Sequence, residues 1–124
     1  MKDVVTITFN HAVAYPDLRI LEYSRLDPTA PFVVNSSYTV TVTLATSGAA
    51  KNTAANELIF RAGTTLVAFT GPGTGFTNCI ITNPDADIAE DKTVTSMGFY
   101  AVPAPQSSTG GWVMQMAAFK VARQ

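Results

Sequence analysis

What this chain has little of excludes whole classes of function. It holds one cysteine, Cys79, so no disulfide can close within it, and no histidine lies near that thiol in sequence to make it a nucleophile. Cys79 is expected to be a small buried strand residue. The one histidine, His11, has no local Ser or Cys partner and reads as a turn histidine. Charged residues are 14% of the 124 and the formal net charge is -1, which leaves no basic footprint for nucleic acid or an anionic membrane surface. No apolar run approaches the roughly 20 residues that a membrane helix needs. Met1-Lys2-Asp3 leads straight into an alternating segment, so no export leader is expected here.

What is present is β-periodicity. Val4 to Phe9 alternates, with Val5, Ile7 and Phe9 expected inward and Thr6 and Thr8 outward. Leu18 to Ser24 is apolar on both faces and predicts an interior strand. Tyr38-Thr39-Val40-Thr41-Val42-Thr43-Leu44 is the plainest alternation, its apolar side expected on the core and its threonines in water. Further strands are predicted over 57–62, 76–82 and 93–101, the last broken or bulged at Gly98. The stretch from Gly110 to Val121 predicts the central strand: Trp112, Met114, Met116 and Ala118 share one side, Val113, Ala117, Phe119 and Val121 the other. The paired glycines are expected to punctuate its start, and Pro103 to Thr109 to be the loop before it.

Loops are expected at Leu26 to Pro31, where two prolines sit close together, and at Ser47 to Ala55. Gly71-Pro72-Gly73-Thr74-Gly75 has the glycines of a phosphate loop but precedes a strand rather than a helix, so it reads as a mobile turn. Roughly seven or eight short strands and no amphipathic helix predict a single all-β domain over 1–124, an antiparallel β-sandwich of Greek-key or jelly-roll type.

Four stretches then carry a resemblance: Tyr15-Pro16-Asp17-Leu18-Arg19-Ile20-Leu21-Glu22-Tyr23-Ser24, Ala54 to Phe60, Asp87-Ile88-Ala89-Glu90-Asp91-Lys92 and Trp112 to Met116. Together they resemble the C-terminal part of uncharacterised β-sandwich modules of large secreted or surface proteins of environmental bacteria. That resemblance covers nearly the whole chain and brings no assigned catalytic motif. It implies a secreted or cell-surface parent and further strands before Val4, hence a partial module with uncovered edges. A homo-oligomer, a two-fold dimer first, is therefore expected to supply the cover.

Chemistry has three candidate seats. Asp85, Asp87, Glu90 and Asp91 are oxygen donors of the kind calcium takes, although the spacing is not that of an EF-hand and a solvated loop is the plainer reading. Glu22, Asp87, Glu90 and Asp91 are the carboxylates available for acid and base roles in a small glycosidase-like hydrolase. Glu22 has a plainer alternative, pairing with Arg19, Arg25 or Arg61. Tyr15, Tyr23 and Tyr100 are the aromatics that can stack on sugar rings, with Trp112 assigned to the core. The leading expectation is a non-enzymatic binding, adhesive or structural module with carbohydrate the favoured ligand class. The alternative is the hydrolase.

Overall fold

The computed structural model describes residues 3–14 and 16–123; Tyr15, one of the three candidate sugar-stacking rings, lies outside them. Its strands are β1 (Phe32–Ala45), β2 (Glu57–Thr65), β3 (Thr77–Ile81), β4 (Ile88–Val94) and β5 (Ala104–Lys120), with no helix among the described residues. They form one antiparallel sheet in the order β1-β5-β2-β4-β3. The expected all-β, antiparallel character is observed, but with five strands, two of them long, in place of many short ones.

The stretch around Trp112 is interior, flanked by β1 and β2 on its two sides. It is longer than periodicity suggested. The predicted loop after Pro103 is already strand, and Gly110 and Gly111 lie within β5 rather than before it. A Cβ at Gly110 would fall 2.7 Å from Val67 Cγ1. Close approach of the β2 to β3 connection, not a strand boundary, is what requires glycine there.

One face of the sheet holds the core. Trp112, Met114, Met116 and Ala118 of β5 are buried on it, opposite Ile59 of β2 and beside Ile88 and Val94 of β4. Phe69 and Phe76 cover it from the β2 to β3 connection, Ala50 from the β1 to β2 loop, and Tyr100 and Val102 from the β4 to β5 loop. Loops take the place of a second sheet on this side.

The first two predicted strands are not strands. Residues 3–14 form no strand and bend at Asn10, His11 and Ala14, with Val5, Ile7 and Phe9 about half exposed and Val4 85% exposed. Alternation shows that a segment can pair, but a ladder needs a neighbour, and no bridge joins this one to the sheet among the described residues. Leu18 to Ser24 lies across the other sheet face: the Tyr23 ring meets Phe60 edge-on at 6.4 Å, while Leu18 and Ile20 point outward at 56% and 61% exposure. Leu26 then bridges Val121.

β1 departs furthest from expectation. Tyr38, Val40, Val42 and Leu44, expected to be buried, are 40–52% exposed because β1 is the edge of the sheet. Tyr38, Val40 and Val42 lie on the core side and continue the apolar surface of Trp112 and Met114 beyond its cover, whereas past the irregularity after Val42 it is Ala45 that faces the core and Leu44 turns to the opposite side. β1 contains no charged residue, proline or glycine. The other edge, β3, is only five residues long and is irregular between Asn78 and Ile80, a short, bulged form that protects a sheet edge.

Candidate functional site

The acidic stretch from Asp85 to Asp91 is half loop and half strand, and strand geometry disperses its carboxylates. Glu90 and Asp91 are neighbours in β4, so their side chains leave opposite faces. Three separate clusters result.

Glu90 turns into the core and meets Arg61, directly opposite it on β2. Both side chains are fully buried. Arg61 Nε donates to Glu90 Oε1 at 2.7 Å, Nη2 donates to the same oxygen, and Nη1 donates to the Val102 carbonyl at 2.6 Å. Glu90 Oε2 accepts the Gly73 N–H at 2.8 Å, and the guanidinium lies 3.8 Å over the Phe76 ring. Burial lowers the Arg61 pKa, and the Glu90 carboxylate opposes that shift. A Cβ at Gly73 would come within 2.5 Å of Arg61 Nη2 and 2.9 Å of the Val102 carbonyl. The glycine-rich turn is therefore a packed lid on the ion pair at Gly73, not a mobile mouth.

Asp91 turns to the other face. Its Oδ2 accepts the Tyr23 hydroxyl at 2.8 Å and the Cys79 thiol at 3.3 Å. Cys79 sits at the irregularity in β3, exposed rather than buried as expected, because the extra residue takes it out of the alternation. Desolvation, reinforced by the hydrogen bond and charge of Asp91, raises both the Tyr23 and the Cys79 pKa. A thiolate is thus disfavoured, so Cys79 is expected to react more slowly than an unhindered thiol with iodoacetamide near pH 8. Asp91→Asn should accelerate that reaction several-fold.

Asp85 and Asp87 do come together, with Asp17, which sequence reading did not select. A carboxylate oxygen from each lies within 4.8 Å of the others. Asp87 Oδ1 accepts the Thr65 N–H at 2.9 Å, and its Oδ2 accepts the Thr64 hydroxyl at 3.1 Å. Thr82 donates to Asp85, which with nearby Arg19 holds the Asp85 carboxyl below its ordinary value. Arg19 pairs with Asp17 and, at 3.4 Å, with Asp87. A guanidinium already occupies the place of a cation, and Glu90 and Asp91 are elsewhere. Calcium or a chelator is accordingly expected to leave the melting temperature of the wild-type protein unchanged; a rise with calcium that chelator reverses would contradict this.

The remaining candidates stand apart. Glu22 is exposed, and two of its three possible partners, Arg19 and Arg61, are engaged with other carboxylates. Tyr100 is half-buried, its hydroxyl donating to the Ser96 carbonyl at 2.7 Å. Tyr23 is half-buried against Phe60, with its hydroxyl on Asp91. Trp112 is 3% exposed and belongs to the core. His11 is exposed on the N-terminal segment.

The feature that residue-by-residue selection missed is the exposed apolar row Tyr38, Val40 and Val42 of β1; Phe32 lies on the opposite face, its ring packed edge-on against Phe119 at 6.2 Å. The alternation of that row was visible, but its position at the sheet edge follows from pairing order. Comparison with protein families, with curated proteins and with solved structures finds no match.

Proposed function

We propose that this chain is a non-enzymatic adhesive or structural module that works through the open edge and apolar side of β1, within a secreted or cell-surface parent protein. The observation that carries this reading is the row Tyr38, Val40 and Val42, 40–52% exposed on a long, uncharged edge strand. Such an edge offers unpaired backbone groups and an apolar side together, the recognition mode of strand addition. Protein is the ligand class that uses both. Sugar stacking is less well served, since Tyr23 and Tyr100 are half-buried and hydrogen-bonded.

A hydrolase is disfavoured on the same geometry. Glu90 is fully buried with both oxygens engaged, and Asp87 and Asp91 each accept several protein donors. We also read the sheet as one layer of an antiparallel β-sandwich of Greek-key or jelly-roll type. The segment containing Arg19, Leu21 and Tyr23, laid across the face opposite the loops, supports this as the start of a second layer.

Incubation with a panel of polysaccharides, followed by product analysis, tests the functional reading. No cleavage is expected. Cleavage that Asp87→Asn or Asp91→Asn abolishes in a folded variant would overturn it in favour of the carboxylate hydrolase. Retention on a glycan array that Tyr38→Ala removes would replace protein with carbohydrate as the ligand.

A further inference from the structure

We infer that the occupant of the β1 edge is the segment Val4 to Phe9 of a second copy of this chain, the two copies exchanging these strands about a two-fold axis. This inference rests on the reading of β1 as the working surface and names its partner.

Two stretches of the chain match in pattern. In β1, Tyr38, Val40 and Val42 project to the core side and Thr39 and Thr41 to the other. In the N-terminal segment, Val5, Ile7 and Phe9 alternate with Thr6 and Thr8. Laid beside β1, the segment puts its apolar residues next to the apolar row and its threonines next to threonines. Aromatic with β-branched pairs and Thr with Thr pairs are both favourable across strands. A slip by one residue would set apolar against threonine on both faces, so the pattern also fixes the register.

Both partners are open for this pairing. Val4 is 85% exposed, Val5, Ile7 and Phe9 are 49–52% exposed, and among the described residues no backbone hydrogen bond joins 3–14 to the sheet. Neither Val4 to Phe9 nor β1 carries a charge, so joining them leaves no ion without a partner. Pairing would also bring the segment over the margin of the core where the Tyr38 ring meets Trp112 at 6.0 Å.

A second copy, rather than the chain's own edge, is favoured by where the segment is rooted and by what covers the path to its own β1. Arg19 ties it to Thr82 and Asp87, at the β3 and β4 side of the sheet, whereas β1 is the opposite edge. Asn10 to Leu18 are long enough to span the roughly four strand spacings, about 19 Å, to the chain's own β1, but that path runs over the face that Tyr23 already occupies. The edge of a second copy can be met without that crossing. An exchange in which each copy gives one strand and accepts one closes as a dimer and leaves neither apolar row exposed.

Light scattering at micromolar concentration should give about twice the 13.2 kDa chain mass for the wild type. Ile7→Asp and Val40→Lys should each give monomers with unchanged β-sheet circular dichroism, since neither residue lies in the buried core. Two single-cysteine chains carrying different tags, Thr6→Cys and Thr41→Cys, each in a Cys79→Ser background, should form a mixed disulfide when oxidised together. A wild-type monomer at every concentration, a dimer that survives Ile7→Asp, or failure of the mixed disulfide with both Thr41→Cys and Thr39→Cys would overturn the exchange. Polysaccharide cleavage would sink the functional reading without altering the mass, and a monomer would sink the exchange without creating an enzyme.

Discussion

Arg61→Ala is expected to lower the unfolding free energy by about 3 to 5 kcal/mol, the usual cost of removing one partner of a buried ion pair. Glu90 would then keep a fully buried carboxylate with only the Gly73 N–H as a donor. Desolvation of that charge is what makes the loss large. The Val102 carbonyl and the face of Phe76 would lose the guanidinium as well, and with them the contact that draws the two covering loops together over β2. Against a typical domain stability of about 5 to 15 kcal/mol, this is a large fraction of the total. Urea denaturation followed by circular dichroism measures it. The double replacement Arg61→Met with Glu90→Leu should recover most of the loss, because no charge remains to desolvate. A double variant as unstable as Arg61→Ala would show that shape, not charge, holds that part of the core.

Trp112→Ala is expected to cost about 3 to 5 kcal/mol, the range for truncating a buried large aromatic. The indole is packed with Phe69, Ala45, Ala104 and Met114 in the core, and the exposed Tyr38 ring flanks it. Its Nε1 has no hydrogen-bond partner in the protein, so Trp112→Phe should cost much less than Trp112→Ala. A change below about 1 kcal/mol for Trp112→Ala, with loss of glycan binding, would instead make the ring a surface platform.

Local pattern and global pairing separate what was legible in the sequence from what was not. Trp112, Met114, Met116 and Ala118 were legible as one buried face because period 2 fixes which residues share a side. β2 and β3 were legible for the same reason, to within a few residues. The burial of Tyr38, Val40, Val42 and Leu44 was not, because alternation marks the apolar side without telling whether anything covers it. Val4 to Phe9 failed similarly: its pattern is a strand's, but strand formation depends on a neighbour elsewhere in the fold. In the candidate sites, one register decision undid the grouping. Reading Asp85 to Asp91 as a loop kept four carboxylates together, whereas β4 sends Glu90 to Arg61 and Asp91 to Tyr23. Asp17 and Arg19 join Asp85 and Asp87 across about seventy positions of sequence, a proximity that no local spacing encodes.

The edge of β1 can be observed directly by amide hydrogen exchange across low to high micromolar protein. If β1 is the surface at which the module works, its outward-facing amides between Tyr38 and Leu44 should become more protected as concentration rises, and Ile7→Asp should abolish that dependence. Fast exchange along Tyr38 to Leu44 at every concentration, equal in wild type and Ile7→Asp, would contradict the account.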